Sequence, residues 1–405
     1  RVTLSSCRPE HSIISTPKAC RCVSASHFPV MVIYMIALHE VSGSTWKRQP
    51  RSPPKEVETM TSTDSVPAER DSAPGHPDSA QKEVASPTAS HAEHESLPQR
   101  VLGRTGEKVP ILGLGTAPAG MGMGDSDAIT LFEAAIDQGV TYIDTAPGYE
   151  RAQKQLRQIL PRRRDEIFLV TKTNTSDRKE AIHKLEEALR ELNTDAVDLA
   201  YVHSMGNQDT DQVLSSEGAL AGLREAQRRG LTRYIGVTGH SLPHRVQRVI
   251  EEDDIDVIMI ALNFADRLTY GFDQSVLPAA MARNVGVAAM KVYGGAEAMK
   301  YDTTDHERRR PSAIEAVIDE FDYELALRWA LSLPGVATAV VGMYTHQELR
   351  QNIEWARGAR PLDEAQLQKL QTQAERLATH WGEHYGPCHE QPRWRKWLQR
   401  LRPGR

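Results

Sequence analysis

The chain has 405 residues, of which 40% are hydrophobic and 6% aromatic, and its formal charge is −5. This length suffices for one large domain or two ordinary ones, and the apolar fraction suffices for a core. The small negative charge excludes a general attraction to nucleic acid or to an anionic membrane, so we expect neither as a partner.

The cysteine content is low. Cys7, Cys20 and Cys22 lie near the start of the chain, and Cys388 lies near its end. This pattern predicts neither a disulfide framework nor a cysteine-rich metal site, which fits a reducing compartment such as the cytoplasm. An iron–sulfur cluster needs several thiolates, so we expect no cluster at Cys388 and no metal elsewhere.

Residues 1–99 differ in composition from the rest. The stretch 51–100 is rich in Pro, Ser, Glu, His and Thr, and such a segment cannot offset its chain entropy by burial. We therefore expect a disordered, low-complexity extension. The apolar run 29–38 is too short to span a bilayer. It is either a signal-peptide core or part of a translation extended upstream of Met60, and we favour the second reading.

From Val101 onward, short apolar runs rich in Val and Ile alternate with amphipathic stretches. Such runs are typical of parallel strands that are covered on both faces. The predicted strands are 111–115, 142–143, 167–170, 197–202, 234–237, 257–260, 285–290 and 338–341.

Apolar residues spaced by three and four predict helices between these strands. The predicted helices are 127–138, 177–192, 220–229, 276–283, 325–333 and 348–356. A further helix is predicted at 365–379, outside the repeat. The basic stretch 393–402 is expected to be a solvated end, with contact to acidic lipid or to a partner as the alternative.

Strands alternating with helices in this way predict an α/β fold, a (β/α)8 TIM barrel over residues 100–390, with an extra C-terminal helix and a basic tail at 391–405. A doubly wound sheet is the rival fold. It would require a Gly-x-Gly-x-x-Gly turn after the first strand, and residues 113–118 lack the third glycine. The barrel is therefore favoured.

Polar side chains follow three successive strands. Asp144 ends the second strand, with Tyr149 in the loop that follows it. Lys172 ends the third strand and His203 ends the fourth. Because the carboxyl ends of barrel strands form the active site, we expect these four side chains at one rim.

An acid, a phenol, an amine and an imidazole suit the reduction of a carbonyl group. Tyr149 would donate a proton to the developing oxyanion, and Lys172 would lower the pKa of this phenol from about 10. Asp144 would hold Lys172, and His203 would orient the substrate oxygen. Singly, each residue is more often a cap or a packing residue; their order along the chain predicts catalysis.

This arrangement resembles the aldo-keto reductase family. The resemblance covers residues 100–359, including motifs at 101–106 and 333–352, and the Gly-x-Thr-Gly-His turn at 236–240 resembles one branch. It implies a small-molecule carbonyl substrate and NADPH as the coenzyme, with NADH as the alternative. It assigns the catalytic roles given above to the same four residues, and it leaves the oligomeric state open.

The resemblance also implies a coenzyme site at the later strands. Thr238 and Gly239 replace the family's usual Ser-Asn pair, and Met259 replaces a glutamine and is expected in the barrel core. The expected coenzyme contacts are Thr238, Gly239, His240, Asn263, Met290, Lys291, Gly342, Met343, Gln351 and Asn352.

Other departures from the family concern specificity. A helix beginning near His346 suits a coenzyme phosphate, but Glu348 replaces the arginine that often holds the 2′-phosphate and leaves NADPH against NADH open. Glu150, Ala152 and Gln153 replace the residues that usually follow the catalytic tyrosine, and Glu150 and Arg151 either alter substrate access or point to solvent. The insert 296–323 is expected in a substrate lid or coenzyme clasp.

Two other functions fit the sequence less well. A nicotinamide-binding regulatory or partner-binding protein with little turnover would explain the changes around the nicotinamide pocket. A metal-dependent hydrolase would need several His and acidic ligands, and Lys172 among Asp144, His203 and His240 disfavours a bound cation.

Overall fold

The computed structural model describes residues 96–294 and 321–390. The strands are β1 (Gln99–Val101), β2 (Lys108–Pro110), β3 (Leu112–Gly115), β4 (Tyr142–Asp144), β5 (Phe168–Thr173), β6 (Val197–Val202), β7 (Thr232–Gly239), β8 (Val257–Ala261), β9 (Gly286–Met290) and β10 (Val336–Gly342). The helices are α1 (Ala117–Gly122), α2 (Asp125–Asp137), α3 (Ala152–Leu156), α4 (Leu160–Arg163), α5 (Arg178–Leu192), α6 (Thr210–Leu214), α7 (Ala219–Arg228), α8 (Pro243–Glu252), α9 (Phe272–Ala282), α10 (Tyr323–Ser332), α11 (His346–Arg357) and α12 (Glu364–Trp381).

Strands β3 to β10 form a closed barrel in chain order, and β10 pairs with β3 to close it. Every neighbouring pair in the barrel is parallel. The predicted (β/α)8 TIM barrel is therefore confirmed. An antiparallel hairpin of β1 and β2 precedes the barrel and was not predicted, because β1 is mostly exposed and has no apolar alternation.

The longer helices lie where the sequence predicts them, and α12 follows the barrel as the predicted additional helix. Helix α8 was missed. Its many charged residues obscure an apolar stripe formed by Val246, Val249 and Ile250, which are buried. The spacing of these three residues is that of an amphipathic helix, so the signal was present in the sequence.

Alternating side chains of the strands fill the barrel interior, because successive residues of a strand point to opposite faces. This interior cluster includes Tyr142, Val170 and Tyr201. Met259 belongs to it with 1% of its surface exposed, which confirms the prediction that Met259 is a core residue. Two residues after each of these three side chains, at the carboxyl end of the barrel, the chain carries a polar group. These polar residues are Asp144, Lys172 and His203.

The described fold begins slightly before the predicted boundary at residue 100. Leu97 is 3% exposed within the main core, and Gln99 starts β1. The first three cysteines, the apolar run 29–38, Met60, most of the insert and the basic tail lie outside the described residues, as does the predicted extension up to residue 95. None of the helices in the described ranges has the length and apolar character needed to cross a bilayer.

Candidate active site

A buried ion pair lies at the carboxyl ends of β4 and β5. The ammonium of Lys172 donates to both carboxylate oxygens of Asp144 at 2.7 Å and to the backbone oxygen of Thr145 at 3.1 Å. Lys172 is 1% exposed and Asp144 is 4% exposed. Burial lowers the pKa of Lys172 and raises that of Asp144, while their mutual attraction opposes both shifts. The pair fixes one positive charge beneath the rim.

Tyr149 lies above this ion pair. The Lys172 ammonium is 3.2 Å from the phenol oxygen of Tyr149 and 4.8 Å from the ring centroid. Burial raises the pKa of Tyr149 well above its usual value, and the Asp144 carboxylate adds to this. The expectation that the pKa of this phenol is lowered was wrong, because burial and the Asp144 carboxylate both raise it. Tyr149 therefore keeps its proton at neutral pH.

The Tyr149 loop packs closely on helix α1. A Cβ atom placed on Gly120 would lie 1.9 Å from the backbone oxygen of Tyr149 and 2.7 Å from the backbone nitrogen of Ala152. Such distances are far below a normal contact, so only glycine permits this approach. The role of Gly120 is not predictable from the sequence, since nothing in the motif around it indicates which backbone it faces.

The residues after Tyr149 point away from the ion pair. Glu150 is exposed and has a φ of 46°, in the left-handed region. Arg151 contacts Asp125 at the start of α2 at 3.0 Å. Gln153 is buried and donates to the hydroxyl of Thr171 at 3.1 Å. These side chains hold the loop against the barrel.

His203 completes the group. Its ring centroid is 6.4 Å from that of Tyr149, in an edge-to-face arrangement. Burial lowers the pKa of His203 to about 3, and the positive charges of Lys172 and Lys291 add to this. The imidazole is therefore neutral at physiological pH and has one N–H to donate.

The Gly-x-Thr-Gly-His turn at 236–240 forms the end of β7 and meets the loop that follows His203. The hydroxyl oxygen of Thr238 accepts from the backbone N–H of Ser204 at 2.8 Å. Nδ1 of His240 lies 3.3 Å from the hydroxyl of Ser204, and the His240 and His203 ring centroids are 6.2 Å apart. Burial, followed by the charge of Lys291, lowers the pKa of His240 well below its usual value.

A wall of this site comes from residues 383–390, named here the C-terminal segment. The ring centroid of Tyr385 is 6.1 Å from that of His240, and its hydroxyl donates to the backbone oxygen of Gly294 at 2.6 Å. His384 pairs with Asp266 at 2.8 Å. From the sequence, this region was assessed only for an iron–sulfur cluster at Cys388. Its contacts with His240 and Gly294 join residues far apart along the chain and leave no local pattern.

Several expected coenzyme residues are engaged within the protein. The amide of Asn263 donates to Asp266, and its oxygen accepts from the backbone N–H groups of Ala265 and Asp266. Asn352 accepts from the Tyr293 hydroxyl at 2.5 Å and donates to the Glu348 backbone oxygen at 2.8 Å. These amides therefore order the rim loops.

Two methionines among the expected coenzyme residues are buried. Met343 lies in the main core and Met290 in the barrel interior cluster. The side chain of Met343 thus packs against apolar neighbours, which leaves only its backbone for polar contacts. Gly239 has no side chain, and a Cβ there would lie 2.5 Å from Val246.

Other expected residues do face the rim. Gly342 and Gln351 are exposed, and Lys291 is half-buried at the end of β9. Burial, with the charge of Lys172, lowers the pKa of Lys291 to about 8. Helix α11 starts at this rim, and its N-terminus attracts anions. A cation at this rim and a helix N-terminus are each suited to an anionic group such as the diphosphate of a nicotinamide dinucleotide.

Glu348 contacts its own loop. One of its carboxylate oxygens accepts from the backbone N–H of Tyr344 at 2.7 Å, and its own N–H donates to the Thr345 hydroxyl. This capping arrangement engages one carboxylate oxygen of the residue that replaces the family's phosphate-binding arginine. In the described ranges, no group of three or more His, Cys, Asp and Glu side chains is arranged to hold a metal ion.

Comparison with known proteins agrees with this geometry. The model of the Aldo/keto reductase family matches residues 111–375. Pyridoxal 4-dehydrogenase of Microbacterium luteolum is 24% identical over 317 residues, which cover 64% of this chain and 92% of that protein. D-threo-aldose 1-dehydrogenase of Pseudomonas sp is 27% identical over 301 residues, covering 62% and 90%. The structure of the thermostable aldo-keto reductase Tm1743 with the inhibitor epalrestat has a TM-score of 0.53 and 25% identity, covering 68% of this chain and all of that one.

Proposed function

The chain belongs to the aldo-keto reductase family, whose members are NAD(P)H-dependent oxidoreductases, and we propose that it reduces an aldehyde or ketone to an alcohol with Tyr149 as the proton donor. The observation that supports this most directly is the Lys172 ammonium, which contacts both Asp144 and the Tyr149 phenol. A proton donor beside a fixed positive charge is the arrangement that a developing oxyanion requires.

Tyr149 transfers its proton to the carbonyl oxygen as that oxygen gains charge. Its raised pKa keeps the proton in place before the reaction. The phenolate that remains lies 3.2 Å from the Lys172 ammonium, which stabilises it. Asp144 holds this ammonium in position through both carboxylate oxygens.

His203 orients the substrate. Because its pKa is lowered to about 3, the imidazole is neutral and donates one hydrogen bond without carrying a charge. Donation to the carbonyl oxygen directs a lone pair of that oxygen toward Tyr149 and polarises the bond. His203 thus works as a hydrogen-bond donor, and Tyr149 supplies the proton.

The coenzyme we propose is NADPH, with NADH as the alternative; its nicotinamide, when bound, supplies the hydride. Lys291, the backbone at Gly342 and Met343, and Gln351 would hold it, because Lys291 follows β9, Gly342 ends β10 and Gln351 lies on the helix after β10. Glu348 is turned to the Tyr344 N–H, which reduces the objection to a 2′-phosphate that the sequence raised.

The substrate we propose is a small molecule that bears an aldehyde or ketone. Two relatives named for pyridoxal and for an aldose, which both carry or form an aldehyde, support this class. We also propose residues 97–390 as the catalytic domain, between an extension that precedes Leu97 and a tail at 391–405. A cytoplasmic location stays a prediction.

The test measures NADPH and NADH oxidation by the purified full chain with a panel of small aldehydes and ketones. Tyr149→Phe should lower kcat by about 10²- to 10⁴-fold, the usual contribution of a general acid, while coenzyme affinity stays the same. Tyr234→Phe is the matched control, since that phenol binds Thr105 and Glu107 and lies away from the four proposed catalytic residues. Coenzyme binding without turnover of any carbonyl would favour a regulatory binding protein instead.

A further inference from the structure

The Gly-x-Thr-Gly-His turn at 236–240, which ends β7, is bonded to the residue that follows His203. Thr238 is 0% exposed, and its hydroxyl oxygen accepts from the Ser204 N–H at 2.8 Å. His240 approaches the Ser204 hydroxyl from the other side at 3.3 Å. Two side chains of this turn therefore act on a single residue.

Ser204 needs such support because of its backbone conformation. It has a φ of 55° and a ψ of 70°, the left-handed region, which costs a non-glycine residue about 1–2 kcal/mol. Its N–H is bound by Thr238, and its backbone oxygen accepts from the Asn207 N–H at 2.8 Å. Without these bonds the local chain would relax to a more favourable φ.

Ser204 directly follows His203, so the two residues share a peptide at the end of β6. The His203 N–H donates to the backbone oxygen of Thr173 at 2.8 Å, and its oxygen accepts from the Gln208 amide at 2.9 Å. The chain therefore leaves β6 at His203 with both backbone groups held. Because Ser204 shares the peptide that carries the His203 oxygen, a change at Ser204 acts on the Gln208 bond to that oxygen, and we expect the imidazole to move with it.

The same turn is poorly equipped to bind an amide of the coenzyme. The Thr238 hydroxyl is buried and already engaged with Ser204, and Gly239 has no side chain. A side chain at Gly239 would also collide with Val246, whose methyl carbon would lie 2.5 Å from the new Cβ. The polar groups of the turn are thus directed at the β6 loop.

We propose that Thr238 and His240 are positioning residues for His203: they hold Ser204 in its left-handed conformation and so aim the imidazole at the substrate oxygen. This inference rests on the proposed carbonyl reduction. It replaces the expectation that these two side chains contact the coenzyme.

The test compares Thr238→Val, which keeps the shape and removes the acceptor, with Thr238→Ser, which restores it. For Thr238→Val we expect kcat/KM for the carbonyl to fall by about 10- to 100-fold, because small displacements of catalytic groups have effects of this size. Thr238→Ser should stay near the wild type. The Kd for NADPH, measured by fluorescence quenching, should be the same in all three proteins.

A double-mutant cycle separates positioning from a general structural role. In a His203→Ala background, Thr238→Val should produce no further loss, since the group that it positions is gone. An equal loss in both backgrounds would overturn the proposal, and so would a weaker NADPH Kd in Thr238→Val. His240→Phe should repeat the pattern with a smaller effect, while His240→Gln keeps a hydrogen-bonding group.

A readout without turnover makes the proposal independent of the reaction. The NMR signal of the His203 ring should shift in Thr238→Val and return in Thr238→Ser. If the wild type reduces no carbonyl, the proposed function fails, and the NMR comparison still decides whether Thr238 positions His203. An unchanged His203 signal in Thr238→Val would refute the positioning role.

Discussion

Gly120 of α1 lies directly beneath the backbone of Tyr149: a Cβ atom on Gly120 would be 1.9 Å from the Tyr149 oxygen. Gly120→Ala must therefore displace the loop of the proposed proton donor. We expect kcat/KM to fall by about 10²-fold, the effect of a misplacement near 1 Å. The overpacking should also lower the free energy of unfolding by about 1–3 kcal/mol.

Gly122→Ala is the matched control on the same helix. A Cβ there would meet only a ring carbon of Tyr344 at 3.3 Å, which a side chain can accommodate. Kinetics and denaturant unfolding of the two variants should therefore differ clearly. If both variants changed kcat/KM and the free energy of unfolding by the same amount, the contact between Gly120 and the Tyr149 loop would not be the cause.

Substitutions of Asp144 and Lys172 should have non-additive effects on the free energy of unfolding. Removing one partner leaves an uncompensated buried charge, so Lys172→Met should lower the free energy of unfolding by about 3–5 kcal/mol. The double variant Asp144→Leu/Lys172→Met should recover much of this loss, because it removes both charges. Urea unfolding of Asp144→Leu, Lys172→Met and the double variant measures the coupling. A double variant that loses the sum of both single effects would contradict it.

Glu150 contributes strain after Tyr149. Its φ of 46° is unfavourable for a side chain by about 1–2 kcal/mol, and glycine removes this cost. Glycine also gives the unfolded chain more freedom, which offsets about 0.4–1 kcal/mol. Glu150→Gly should therefore raise the free energy of unfolding by about 0.5–1 kcal/mol. Glu150→Ala loses the same carboxylate but keeps the Cβ, and it should show no such gain.

His203 should make folding stability depend on pH. In the folded protein its pKa is lowered to about 3, whereas in the unfolded chain it is about 6.5. Between these values the unfolded state binds one more proton, so stability falls as the pH decreases below 6.5, by up to about 1.4 kcal/mol per pH unit.

His203→Gln isolates this contribution from those of other titrating groups. Urea unfolding at pH 7, 6 and 5, chosen to lie on either side of about 6.5, should show a smaller loss of stability in the variant than in the wild type. Identical pH dependence in both proteins would mean that His203 titrates alike in the folded and unfolded states.

The barrel and its four polar groups were readable from the sequence for a simple reason. Asp144, Lys172 and His203 each follow an apolar strand, and strand ends of a parallel barrel meet at one rim. The strands are buried on both faces, so their apolar runs are continuous and easily recognised. The pattern of apolar and polar residues along the chain was therefore sufficient to place these side chains at one rim of the barrel.

The electrostatics and the longer contacts were not readable. The sequence shows that Lys172 is near Tyr149, but only the packing shows that burial raises the pKa of the phenol. The bond from Ser204 to Thr238 joins two loops whose side-chain directions no local pattern specifies. Helix α8 was readable from its apolar spacing, and its charges concealed it.

The C-terminal segment gives the site an order of assembly. Tyr385 reaches His240 and Gly294, and the backbone N–H of Leu242 donates to the Pro387 oxygen at 3.1 Å. On a ribosome, the four proposed catalytic residues emerge long before this wall does. A chain that ends before residue 383 would carry all four of these residues but would lack the Tyr385 ring beside His240 and its hydrogen bond to Gly294.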